Sequence, residues 1–143
     1  MAGPLAPLDF DTERRVQRAV RAAVAAGLVA AAHDCSEGGV AVALAESCVT
    51  ARDPVGCDAT LPAAARADLT LFGEGPSRVL VAVEARHARE FEGLMAESAI
   101  RWRWIGTTGG DRLVIRVGND TVVDVDASRL EHAWRSGFER HMA

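Results

Sequence analysis

The chain has 143 residues, 49% hydrophobic and 25% charged, with a formal net charge of −4. That is enough for one domain with a self-supporting core, and it leaves no basic surplus with which to grip nucleic acid. All 16 basic residues are arginine and tyrosine is absent, which excludes a P-loop lysine, a Schiff-base lysine and a tyrosine general acid.

Residues 1–8, with Pro4 and Pro7, read as a linker stub ahead of a single domain at 9–143. Asp11 is placed to cap a helix on which Val16, Val20, Ala23 and Val24 share one face up to Gly27. Arg14, Arg18 and Arg21 fall on the neighbouring face, the pattern of a solvated helix surface. Arg14-Arg15 followed by the apolar run 22–32 imitates a twin-arginine leader. Asp9, Asp11 and Glu13 ahead of the arginines argue against a leader, as do Arg18 and Arg21 behind them, and the run is too short to span a bilayer. The expectation is a helix of a cytoplasmic protein with no membrane partner. Three cysteines, Cys35, Cys48 and Cys57, are odd in number and lack C-x-x-C spacing, which fits free thiols in a reducing compartment.

Residues 28–33 predict a short buried strand. After a break at 34–39, a second helix is expected over 40–50, apolar on every side except Glu46 and Ser47, and therefore buried between other elements. Residues 52–66, with Pro54, Gly56 and Pro62, predict a loop with a short strand near 58–61, and an apolar-then-glycine segment follows at 69–75. The clearest strand is 77–84, with β-branched residues on both faces. Residues 85–98 predict a third helix with Phe91, Leu94 and Met95 inward. A strand at 102–107 is then joined through Gly109-Gly110-Asp111 to a strand at 113–117, and through Gly118-Asn119-Asp120 to one at 122–125, as two tight hairpins. A helix over 128–140 closes the chain with Leu130, Trp134 and Phe138 on one stripe. The order predicts an α+β fold: a mixed, largely antiparallel sheet with helices packed on it.

Two segments carry the chemistry. In the first, His33-Asp34-Cys35-Ser36-Glu37-Gly38-Gly39, a strand ends in small residues that open a helix. Backbone N–H groups and the helix dipole then favour an anion, Gly38 and Gly39 allow close approach, and Ser36 can cap the helix or bond a phosphate. An ordinary cap with glycines for close packing explains the same residues. His33 and Asp34, adjacent on a strand, point to opposite faces and do not share one ion, so a buried, hydrogen-bonded His33 is expected. Cys35 beside His33 lacks an orienting third group for a nucleophile. Asp124 and Asp126 share a strand face without further oxygen ligands, which reads as a solvated edge. In the second segment, Leu71-Phe72-Gly73-Glu74-Gly75-Pro76-Ser77-Arg78, Glu74 is placed to receive hydroxyl or ammonium groups and Arg78 to pair with Glu74 or a phosphate. A tight turn with a surface ion pair is the alternative.

A-H-D-C-S-E-G-G-V-A-V-A-L-A-E (32–46) followed by L-F-G-E-G-P-S-R (71–78) resembles the last C-terminal domain of the phosphoribosylformylglycinamidine synthase family, large synthetase subunit. These enzymes are also called formylglycinamide ribonucleotide amidotransferases, and they are related to aminoimidazole ribonucleotide synthetase. P-L-D-F-D (7–11), I-G-T-T-G-G (105–110) and V-V-D-V (122–125) extend the resemblance over nearly the whole chain. It implies an aminoimidazole ribonucleotide synthetase C-terminal-domain-like fold and part of an ATP-dependent ligase of purine biosynthesis. ATP and magnesium are implied for the full-length enzyme, with no cofactor assigned to this chain alone. The implied partners are N-terminal synthetase domains and a glutaminase.

The resemblance carries no catalytic residue and no metal ligand to this chain. It carries Asp34, Ser36, Gly38 and Gly39, with Glu74 and Arg78, as walls of a substrate- or phosphate-binding cleft. The family's substrate-binding Glu-Ser-Gln is here Glu74-Gly75-Pro76, which lacks the hydroxyl and the amide. The isolated chain is therefore expected to be inactive. A stand-alone phosphate- or nucleotide-binding module, or another ATP-dependent member of the same family, are the alternatives.

Overall fold

The computed structural model describes residues 7–50, 53–63 and 66–142, the side chains of 138–142 excepted. In chain order the elements are α1 (Phe10–Ala25), β1 (Ala31–Asp34), α2 (Gly39–Val49), β2 (Cys57–Leu61), α3 (Ala67–Phe72), β3 (Val79–Ala82), a 3-10 turn (Ala85–His87), α4 (Ala88–Glu97), β4 (Gly106–Thr108), β5 (Arg112–Val117), β6 (Asp120–Asp126) and α5 (Ala127–Met142). They form two compact units. One holds the described residues through Glu37 with Glu74–Arg103, the other Gly38–Gly73 with the described residues from Trp104 onward.

In the first unit α1 is capped by Asp9, not by Asp11. Asp9 sits in extended backbone and its carboxylate accepts the Asp11 and Thr12 N–H groups at 3.0 and 3.3 Å, satisfying donors that no helical carbonyl reaches. The inward face is Val16, Ala19 and Ala23, whereas Val24 is 52% exposed. Ala19, Ala23 and Leu28 meet Phe91 and Met95 of α4, with Val29, Val81, Val83, Leu94 and Ile100 packed around them. Trp102 stands edge-on to Phe91 with ring centroids 6.1 Å apart.

β1 and β3 make an antiparallel pair of four residues each. The expected buried strand at 28–33 is corrected: Leu28 is buried, but the strand begins at Ala31, and Ala31, Ala32 and Asp34 are exposed. A two-stranded ribbon has one partner per strand and little cover. The strand expected at 77–84 is shorter as well, because Ser77 has φ +62 and starts no ladder.

In the second unit the sheet order is β4-β2-β5-β6, with β2 and β5 parallel and the other neighbours antiparallel. Cys57, Ala59 and Leu61 alternate inward on β2, as do Leu113, Ile115 and Val117 on β5. α2 packs against α3, α5 and β5, which is why it is apolar nearly all round. On the opposite face Arg112 bonds Asp124 at 2.7 Å and also Asp126, and Arg116 pairs with Asp58.

The α+β class stands, divided over two sheets. The hairpin at Gly118-Asn119 forms as expected. The one at Gly109-Gly110 does not: β2 lies between β4 and β5, and the two glycines exchange backbone hydrogen bonds of 2.8 Å with Gly56. Trp102 and Trp104 precede β4 and are not part of it, and α3 was not expected. On α5, Leu130 is half-buried and Trp134 is 54% exposed, while the Phe138 side chain lies outside the described residues. No helix among the described residues is long and apolar enough to cross a membrane.

Candidate functional site

Part of each sequence motif, 34–37 of the first and 74–78 of the second, lies in the first unit. Asp34 ends β1 opposite Val79, and one step further the Cys35 N–H donates to the Arg78 carbonyl at 3.0 Å. The β1–β3 ladder thus delivers Asp34 and Ser36 on one chain and Arg78 on the other to the same end. The Ser36 hydroxyl donates to Asp34 Oδ2 at 2.7 Å. That bond holds the Asp34 carboxyl below its usual range, with a smaller contribution from His33.

Ser36 therefore does not cap α2 as the sequence allowed. The N-cap is Gly38 at φ +74, with no side-chain cap bond. His33 is hydrogen-bonded as expected, its Nδ1 2.7 Å from the Asp34 carbonyl, but half-buried. Cys35 is buried, and burial raises its thiol pKa while Arg78 pulls it partly back; that is an inert thiol, not an activated nucleophile.

The loop between the motifs is shaped by backbone. Ser77 is in the left-handed region at φ +62, and its hydroxyl donates to Glu13 Oε2 on α1 at 2.6 Å. The other Glu13 oxygen accepts Gln17 Nε2 at 2.6 Å. These two bonds, Ser77 first, hold the Glu13 carboxyl below its usual range. Gly75 lies beside the Arg78 stem, where an added Cβ would sit 3.6 Å from Cδ. Arg78 is half-buried and Glu74 exposed. Glu13 and Ser77 escaped the sequence reading because 64 positions separate them and no periodicity links them.

Gly38 and Gly39 belong to the second unit and are placed by packing. A Cβ on Gly38 would overlap the Val42 side chain. One on Gly39, at φ +63, would lie 2.7 Å from the Leu71 carbonyl oxygen, 2.9 Å from the Phe72 carbonyl carbon and 3.0 Å from the Gly73 oxygen. The close approach that Gly39 permits is to the chain's own backbone.

The described residues contain no group of three His, Cys, Asp or Glu side chains able to hold a metal ion, and Asp124 and Asp126 are engaged by Arg112. Two surface depressions, one lined by Asp11, Arg14, Arg15 and Arg18 and the other by Ser128, Glu131, His132, Arg135 and Ser136, include no motif residue.

The chain is similar to phosphoribosylformylglycinamidine synthase subunit PurL of Anaeromyxobacter dehalogenans, 42% identical over 145 residues, covering 96% of this chain and 19% of that protein. It therefore spans about one fifth of the length of the curated relatives it matches. Its fold is similar to that of phosphoribosylformylglycinamidine synthase II from Thermotoga maritima, with TM-score 0.75 and 20% identity over 88% of this chain and 22% of that one. T. maritima PurL complexed with ADP gives TM-score 0.70 and 19% identity over 82% and 21%. Residues 6–118 match the family described as AIR synthase related protein, C-terminal domain, and the chain belongs to that family.

Proposed function

We propose that the chain is the C-terminal part of a phosphoribosylformylglycinamidine synthase, and that it walls a nucleotide- or phosphate-binding cleft completed by N-terminal synthetase domains. The longer enzyme is a cytoplasmic ligase of purine biosynthesis that converts formylglycinamide ribonucleotide to the amidine with ammonia from a glutaminase. The observation that carries the reading is the Cys35 N–H to Arg78 carbonyl bond of 3.0 Å, which brings both motifs to one end of one ladder. The family match and the name of the similar proteins support it.

The donor set fits recognition. Arg78 offers a planar cation for phosphate oxygens. The carboxylates of Asp34 and Glu74 accept from ribose hydroxyls or amide N–H groups. Ser36, its proton committed to Asp34, presents lone pairs only. ATP, when bound in the longer enzyme, supplies the phosphoryl group that activates the amide oxygen for displacement by ammonia. This chain's residues hold and orient. Asp34 and Glu74 are given no metal role here, and the metal is assigned to other segments of the enzyme. Gly75 and Pro76 offer no side-chain hydrogen bonds at the position of the family's Ser-Gln, so contact with the reacting amide is assigned elsewhere too.

The test measures phosphate release from ATP with formylglycinamide ribonucleotide and ammonia. The longer enzyme containing this chain is expected to turn over, with Arg78→Ala raising KM for a phosphate-bearing substrate, and the 143-residue chain alone to be silent. Turnover by the chain alone, or an Arg78→Ala enzyme with unchanged KM values, overturns the reading. An antibody to the chain should detect a cellular protein several times larger.

A further inference from the structure

We infer that Glu13 is a positioning residue: through its hydrogen bond to the Ser77 hydroxyl it holds Ser77 in the left-handed conformation that sets the course of the chain into Arg78. The inference rests on the proposed phosphate-recognising role of Arg78 and adds Glu13, which lies outside both motifs, with a role for Ser77 that the motif reading did not assign.

Three observations carry it. Ser77 is one of only two non-glycine residues with positive φ among those described, the other being Ala99 at φ +50. Such backbone is unfavourable for an L residue, whose Cβ crowds the following carbonyl oxygen, so it persists where the surroundings hold it. What holds Ser77 is a partly buried, charge-assisted bond of 2.6 Å from its hydroxyl to Glu13 Oε2, across 64 positions of sequence. The Glu13 carboxylate is itself oriented. It stands in the first turn of α1, its backbone N–H donates to the Asp9 carbonyl at 2.9 Å, and its second oxygen takes Gln17 Nε2 at 2.6 Å.

The consequence falls on Arg78. Its carbonyl is fixed by the Cys35 N–H at 3.0 Å, and the residue before it is fixed by Glu13. The guanidinium therefore departs from a backbone constrained on both sides, a stem lying against Gly75. A simple tie between α1 and β3 would use the same hydrogen bond but would not need the left-handed serine. That difference makes the two roles separable.

The experiment compares Glu13→Ala, Glu13→Gln, Ser77→Ala and Ser77→Gly in the 143-residue chain, with two readouts. One is ADP affinity by calorimetry. The other is hydrogen exchange at the Cys35 amide, which reports the bond to the Arg78 carbonyl whether or not any nucleotide binds. Ser77→Ala keeps the Cβ at unfavourable φ and loses the hydroxyl, and Glu13→Ala removes the acceptor. Each is expected to weaken ADP binding by about three- to tenfold, the worth of one such hydrogen bond, and to speed Cys35 exchange. Ser77→Gly adopts the same φ without strain, and Glu13→Gln keeps an acceptor oxygen, so both are expected within about twofold of the parent.

If Ser77→Gly loses as much as Ser77→Ala, or if Glu13→Ala changes neither readout, the hydrogen bond is only a tie and the positioning role is wrong. If the parent chain binds no ADP, as a cleft completed by other domains allows, Cys35 exchange alone decides: the expected order supports the positioning role and an unchanged rate overturns it. The nucleotide reading of Arg78 is then decided by the Arg78→Ala KM in the longer enzyme.

Discussion

Gly39 offers the sharpest separation between a glycine kept for packing and one kept for a ligand. Replacing it with alanine adds one methyl group at φ +63, where an L residue loses about 1–2 kcal/mol from its own backbone. The new carbon would also meet the Leu71 oxygen at 2.7 Å, the Phe72 carbonyl carbon at 2.9 Å and the Gly73 oxygen at 3.0 Å. These are backbone atoms at the end of α3, so they yield only if α3 moves away from α2. Overpacking of that kind costs about 1–3 kcal/mol. Gly110 supplies the control within the same unit: it has φ +71, and no atom lies within 4 Å of its would-be Cβ. Gly110→Ala therefore pays the conformational part alone, and Gly39→Ala is expected to exceed it by about 1–3 kcal/mol. Urea denaturation followed by far-ultraviolet circular dichroism measures both. Equal losses would refute the close-packing argument. So would a Gly39→Ala chain as stable as the control that has lost ADP binding, because the room at Gly39 would then belong to a ligand.

Other groups give equally direct expectations. Phe91→Leu removes a buried ring and its edge-on contact with Trp102; a loss of about 1–3 kcal/mol is expected in urea, with a changed tryptophan emission, and an unaltered midpoint would contradict it. Burial pushes the Cys48 thiol up to about 11, with the neighbouring Cys57 adding to the rise. Because the raised value favours the protonated folded form, this contribution is complete below about pH 9 and is lost as pH climbs through 11, roughly 3 kcal/mol in all. Cys48→Ala should remove that part of the alkaline slope in a series of urea midpoints against pH. Asp9 is the opposite case: the hydroxyl and N–H of Thr12 hold its carboxyl below the ordinary value. Its stabilisation of α1 is present above about pH 4 and fades as pH falls through the lowered value. Asp9→Ala should flatten the acid limb of a helix-content titration, and an unchanged limb would show that the cap contributes nothing.

The elements that could be read from the sequence are those whose partners leave a local mark. α2 was legible because α3, α5 and β5 surround it, leaving almost no side for polar residues. α4 was legible because Phe91 and Met95 recur at helical spacing on its buried face. The β5–β6 hairpin closes through Gly118, whose φ of +62 the turn requires. Gly109-Gly110 carries the same local mark with a different outcome, since their backbones bond Gly56 from a segment some fifty residues earlier and β2 occupies the place beside β5. Turn chemistry states that the chain bends, not which strand it returns to. α3 was invisible for a related reason: six residues are too few to establish a helical period.

The candidate site divides along the same line. Asp34, Ser36, Glu74 and Arg78 stand out in sequence because polar residues interrupt apolar runs beside glycines, yet the approach of the Asp34–Ser36 segment to Arg78 depends on β1–β3 pairing, which no local pattern encodes. That pairing is not sustained by burial along the ribbon, since Ala31, Ala32 and Val79 are exposed. Two strands alone are marginal in water. The ribbon is anchored instead where Val81 and Val83 reach the core of Ala19, Ala23, Phe91 and Met95, at the end away from the motifs. The motif end is held by polar bonds: Cys35 to Arg78, Ser36 to Asp34, and Ser77 to Glu13. An apolar anchor at one end and a hydrogen-bonded loop pair at the other is an arrangement that presents polar groups in fixed register. It also explains why substitutions at the motif end should alter recognition with little effect on unfolding, whereas substitutions at Phe91 should do the reverse.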